Sequence, residues 1–315
     1  MESLVRPVRV GDPGGPTPQQ ARGPHWRRTS RGWFVPADVE LTPRQRVLGA
    51  SVVLPAGAAI TGWAALCWRG ARWSDGHGRA VPLAIGRADV RSQPGLRIVR
   101  ERPGAWEHVD GVAVAVPAEA ASYEARRAAD LAEAVVALDM AAYSDLVSPA
   151  EVETVLAGRR GAPQARRALA LADENSWSPQ ETRLRLVLGA GWICNAPVFD
   201  LDGRHLGTPD LIDAEAGVAV EYDGDVHLAR GARHRDVRRV GRFAAAGLEV
   251  VTALAPDLHD PRALLAEVDV ARARASGRTR GWTAVPPPWW TATDTVAGRR
   301  ALPSGRRWLL RHRAA

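Results

Sequence analysis

The sequence predicts an α/β protein in two parts: an amino-terminal α+β region, then a carboxy-terminal domain built on a mixed sheet. Three observations predict it. At 315 residues the chain is long enough to bury two cores. From Ser178 onward the apolar patterns read α-β-β-β-α-β, with hairpin turns between the early strands and a basic helix before the last. Before residue 145, short apolar strands separated by Gly and Pro accompany helical stretches. Hydrophobic residues at 46% and charged residues at 24% describe a globular chain, not a disordered one.

In chain order, residues 1–25 are rich in Pro and Gly and are expected to be poorly ordered. "HWRRTSRGWFVP" (25–36) predicts a short hairpin turning at Gly32. The uncharged run Val47–Trp68 approaches the length that spans a bilayer. Pro55, Gly57 and Gly62 interrupt it, which predicts two short buried helices joined at "LPAG" and no membrane span. Strands are expected at 81–86, 96–101 and 112–117, and one continuous helix over 118–143. Ser148 and Pro149 open a further helix as cap and first residue, and helical character resumes over 166–173. These signals place an amino-terminal region at 1–150, a second domain at 175–270, and a basic tail of little pattern at 275–315.

The second domain begins with a helix from Ser178 to Gly189. Asp202–Gly203 turns a first hairpin (195–207), and Ala216–Gly217 turns a second (210–224). A basic helix over 232–246 and the strand "LEVVTAL" (248–254) follow.

Charge is distributed unevenly. The net charge is +7, and residues 262–315 hold eleven arginines against Glu267, Asp269 and Asp294. The remainder is therefore near neutral. All 42 basic residues are arginine, so no step can use a lysine amine. Cys67 and Cys194 lie far apart without CxxC spacing, which excludes a disulfide framework and argues against a structural zinc site. With a start that lacks a signal-like apolar core, they point to a cytoplasmic location.

The chemistry gathers at "VAVEYDGDVH" (218–227). Strand alternation sends Val218, Val220 and Tyr222 one way and Ala219, Glu221 and Asp223 the other. Asp210 opens the neighbouring arm, so Asp210 and Glu221 are expected to converge, with Asp223 close by. Carboxylates so placed repel unless a cation lies between them, and such hard oxygen donors select Mg²⁺, Mn²⁺ or Ca²⁺. The competing reading is that these acids decorate a turn. Glu181 likewise has two readings: an outer metal or water ligand, or the capping-box partner of Ser178. Arg235, Arg238 and Arg242 recur along one helix, either as a phosphate-contacting face or as a solvated surface. Asp236 and Arg239 are expected to pair on that helix. "PPPWW" (286–290) is either a docking strip or part of an unstructured tail.

Together "SPQETRLRLVL", "TPDLID", "VAVEYDGDVH" and "RHRDVRRVGRF" resemble the domain of very-short-patch-repair endonucleases, within the PD-(D/E)xK fold group. The resemblance covers about residues 175–260 and implies a divalent-metal-dependent DNA endonuclease using Mg²⁺ or Mn²⁺. It makes Asp210 the aspartate of the "PD" element, Glu221 the first acid of the second strand, and Glu181 the acid of the first helix. The wider group carries lysine where this chain has Asp223. The repair branch is similar in its "DG" followed by histidine, which implies proton handling by His227. The region "WRRTSRGWFVP…LTPRQRVLGASVVL" is similar to AbiEi-type antitoxins, implying a degenerate winged helix and a possible partner protein of a toxin–antitoxin system. The expected function is metal-dependent DNA hydrolysis; the alternative is a catalytically inactive DNA-binding regulator.

Overall fold

The structure is a computed structural model describing the backbone of residues 3–223 and 230–303, and the side chains of all of these except 230–237. The chain divides after Leu169 into two units. In the first, Gly32 at φ 79° turns the chain between two antiparallel strands. The resulting sheet is β1 (Val8–Arg9), β2 (Trp26–Ser30) and β3 (Trp33–Pro36), in the order β1-β3-β2. Strand β1 lies in the segment expected to be poorly ordered. What orders it is Gln45, buried on α1 (Pro43–Ser51), whose amide donates to Val5 O at 2.7 Å and accepts from Val5 N at 2.9 Å.

The uncharged run folds as predicted into two helices, α1 and α2 (Gly62–Trp68), with β4 (Ala59–Ile60) between them. Among the described residues no helix is long and apolar enough to cross a membrane. A five-stranded sheet follows in the order β6-β5-β4-β8-β7. It uses β5 (Val81–Ala84), β6 (Leu96–Val99), β7 (Trp106–Val109) and β8 (Val112–Ala115). Strand β7 was not expected; Asp110 and Gly111, at φ 49° and 78°, turn it back onto β8. The helix expected over 118–143 is instead two, α3 (Pro117–Arg127) and α4 (Leu131–Tyr143). Asp130 makes the break by capping α4, its carboxylate accepting from Glu133 N at 2.8 Å. A capping box of Ser148 and Glu151 starts α5 (Pro149–Glu153), and α6 (Ala162–Leu169) closes the unit.

The second unit is three layers deep. Ser178 caps α7 (Pro179–Leu188), which stops at Gly189 with φ 84°. The central mixed sheet runs β14-β13-β12-β9, built from β9 (Ile193–Cys194), β12 (Leu211–Asp213), β13 (Val218–Asp223) and β14 (Glu249–Leu254). Strands β12 and β13 are antiparallel, while β13 and β14 are parallel and joined through α8 (Arg230–Ala245). A second sheet pairs β10 (Val198–Asp200) with β11 (His205–Gly207) and β15 (Trp282–Thr283). Alternation decides which residues each layer receives. Leu211, Val218 and Val220 pack with Leu184 of α7 and with Leu264, Val268 and Ala271 of α9 (Arg262–Ala275). Ile212 and Ala219 face the other way, onto Phe243 of α8, Val198, Leu206 and Trp282.

The basic region beyond residue 262, expected to be a tail of little pattern from 275, is built into this unit as far as it is described. Leu264, Val268 and Ala271 form the buried stripe of α9, Trp282 is 2% exposed, and α10 (Val296–Arg300) follows. Its arginines are largely engaged. Arg274 and Arg278 reach Glu249 at 3.0 and 2.5 Å, Arg272 reaches Asp213 at 2.9 Å, and Arg280 stacks on Trp282. If this segment belongs to the core, Trp282→Ala should cost about 3–5 kcal/mol. Urea unfolding of the full chain measures this, and a cost below about 1 kcal/mol would show that β15 is dispensable.

Candidate active site

Register places the predicted acids. Leu211 pairs with Val220, so Asp210, one residue earlier, stands opposite Glu221. Glu221, in step with Ala219, lies on the α8 side of the sheet, while Asp210 stands at the strand end, just before β12. Asp210 Oδ2 accepts the Tyr222 amide at 2.8 Å, which fixes this carboxylate to the end of β13. Asp223 is exposed at the end of the same strand. His227 lies outside the described residues.

Glu221 is mostly buried, and Arg239 of α8 donates to its Oε2 at 2.7 Å. The sequence pairs Arg239 with Asp236, whose side chain lies outside the described residues; in the structure the Arg239 guanidinium reaches across to the sheet. Gly207 makes this approach feasible, because a Cβ there would stand 2.8 Å from both Arg239 Cγ and Phe243 Cζ. The pair therefore couples β13, α8 and β11. Of the predicted phosphate face, Arg238 is exposed, and Arg242 is exposed while its Nε donates to Leu206 O at 2.7 Å. The Arg235 side chain lies outside the described residues.

Glu181 is 8% exposed at the first turn of α7. Its backbone amide donates to Ser178 Oγ at 3.1 Å, as a capping box requires. The reciprocal bond differs from expectation: Glu181 Oε2 accepts from the Trp177 amide at 2.8 Å, one residue before the cap. The same oxygen accepts from Asn195 Nδ2 at 2.8 Å. Burial first, and then the charge of Asp210, push the Glu181 carboxyl from 4.5 up to about 8. Both effects favour the protonated acid, and two N–H donors meet its Oε2.

Asn195 carries no motif that marks it in the sequence, yet it joins the site. It is 4% exposed and holds φ 47°, a left-handed conformation that asparagine tolerates better than most residues. Its amide N–H donates to Asp210 O at 2.9 Å and its Nδ2 to Asn175 O at 2.8 Å. Asn175 in turn donates to Cys194 O at 2.8 Å and accepts from Trp177 Nε1 at 3.0 Å. One connected network therefore runs from Trp177 through Glu181 and Asn195 to Asp210. A cleft of about 490 Å³ opens on its other side, with Asn175, Trp177 and Asn195 in one wall and Trp290 and Thr293 in another.

Oxygen donors suited to a hard divalent cation are present in Glu181 and Asp210, which lie close enough for the charge of one to raise the other. Glu221, on the same strand end, already faces a guanidinium. Among the described residues no group of three His, Cys, Asp or Glu side chains is gathered as a metal site. Cation binding by Glu221 would thus exchange one positive partner for another. Compared with protein-family models, with curated proteins and with solved structures, the chain gives no match.

The protonation of Glu181 has a direct consequence for stability. The folded chain keeps this proton up to about pH 8, while the unfolded chain releases it near 4.5. Unfolding therefore releases a proton between those values, and this group makes stability fall as pH rises through them. Glu181→Gln should flatten that fall, leaving the variant relatively more stable at pH 8 than at pH 5, by an amount on the order of a few kcal/mol. Urea unfolding at the two pH values checks it; parallel losses in both proteins would show that Glu181 is ionised in the fold.

Proposed function

We propose that the second unit is a divalent-metal-dependent endonuclease core that hydrolyses DNA phosphodiesters, of the very-short-patch-repair-like, PD-(D/E)xK kind. The observation that supports this reading is Asp210, tied to the end of β13 through the Tyr222 amide, with the buried acid Glu181 beside it and Glu221 on that same strand. Asp210 would hold Mg²⁺ or Mn²⁺, with Glu181 joining once the ion displaces its proton and Glu221 when Arg239 gives way. What such an ion supplies is an acidified water and charge neutralisation at phosphorus. Of the chain's own groups, Arg238 and Arg242 bind backbone phosphates through guanidinium forks. Asn195 and the Trp177 amide hold Glu181 Oε2 in place. By resemblance, His227 accepts the proton of the attacking water.

Purified protein with Mg²⁺ should nick plasmid DNA, and Asp210→Ala should slow nicking by about a hundredfold or more. Undiminished cleavage by that variant would refute the assignment. A second reading, a DNA-binding regulator without hydrolysis, is favoured by one observation: the 2.7 Å pair in which Arg239 already neutralises Glu221. It predicts DNA binding that weakens steeply with salt and no cleavage with any divalent ion.

A further inference from the structure

The 490 Å³ cleft falls within the size range of small-molecule sites, and its lining specifies a chemistry. Two indoles, Trp177 and Trp290, stand in its walls. Both are fixed. Trp177 Nε1 donates to Asn175, and the Trp290 ring lies 4.7 Å from His205 and 5.1 Å from Phe199 between centroids. The charged lining is wholly acidic: Asp173, Glu174 and Asp294. Among the described residues no arginine or histidine lines the cleft, although the chain has 42 arginines. A phosphate would be repelled there. A flat, uncharged ring bearing N–H donors would stack on indole and donate to carboxylate, as an amino-bearing base does.

The surroundings place such a ring beside the acid site. Asn195 lines the cleft and donates to Glu181 on its other side. Thr208 also lines it, two residues after Leu206, whose carbonyl anchors Arg242. Arg242 and the cleft thus engage the same short segment, Leu206 to Thr208.

We propose that this cleft holds one unstacked, amine-bearing nucleobase of the nucleic acid substrate, with its sugar and phosphate outside beside α8. This rests on the nuclease reading for its substrate, but binding of the base does not require cleavage. Sequestering a base costs its unstacking, so the cleft favours single-stranded, mismatched or frayed positions over intact duplex.

The test is nucleoside binding to the full chain without divalent metal, followed by NMR line broadening of the nucleoside. Adenosine and cytidine should bind, uridine should bind more weakly, and spermidine should not displace them. Trp290→Ala should weaken adenosine binding roughly fivefold to a hundredfold, the range for loss of one stacked base. Trp290→Phe should recover most of it. Should Trp290→Ala fail to fold by circular dichroism, Asp294→Asn carries the test through reduced preference for adenosine and cytidine over uridine. No nucleoside binding at millimolar concentration, displacement by spermidine, or wild-type affinity in Trp290→Ala or Asp294→Asn would overturn the proposal. Nucleoside binding in a protein that never nicks plasmid would leave this inference standing and sink the nuclease reading. Nicking without nucleoside binding would do the reverse.

Discussion

The antiparallel register of β12 on β13 is the constraint from which the site follows. Because Leu211 meets Val220, the apolar residues of both strands enter the α7–α9 core together, and Ile212 with Ala219 enters the α8 core. A slip of one residue would exchange these sets and bury acids in both cores. The same pairing, continued by one residue, sets Asp210 against Glu221. Hydrophobic burial thus pays for the juxtaposition of two carboxylates that would otherwise repel. The hydrogen bond from the Tyr222 amide to Asp210 completes the end of the ladder with a side chain instead of a carbonyl.

The two flanking glutamates are handled in opposite ways. Glu181 is buried beside another acid and is kept neutral, with its acceptor oxygen satisfied by two N–H groups. Glu221 is given an arginine, whose charge is permanent at any working pH. Burying either group without its device would be costly. Arg239 reaches Glu221 only because Gly207 leaves room for its stem, so the sheet of β10, β11 and β15 takes part in the site although it contributes no acid to it.

Much of this was legible in the sequence because the signals are local. The alternation of Val218 to Asp223, the Ser178 cap, the Gly189 stop and the turns at Gly203 and Gly217 each depend on residues within a few positions. What was missed depends on partners far along the chain. Asn195 acquires its importance from Glu181 and Asn175, and Gln45 orders β1 through a contact 40 residues away. Arg239 meets Glu221 eighteen residues back across the sheet, a partner that no local spacing announces. Other misses had local signals that went unread. The Asp110–Gly111 pair is a hairpin turn, and Leu264, Val268 and Ala271 recur at helical spacing within a run that its arginines made look like a tail.

That run shows how a composition argument can mislead about function. Eleven arginines from residue 262 onward read as a loose cationic surface for DNA. In the fold, Arg272, Arg274 and Arg278 neutralise Asp213 and Glu249, largely buried acids at the ends of β12 and β14, and Arg280 covers an indole. Charge spent on internal partners contributes little to phosphate affinity, because counterion release counts only cations that meet the phosphates. On α8, by contrast, Arg238 and Arg242 are exposed. These lie on the helix whose Arg239 holds Glu221. On the proposed nuclease reading, these two guanidiniums would meet the phosphate backbone on the same helix that holds Glu221, so position along the fold, more than total charge, decides what a basic residue can do.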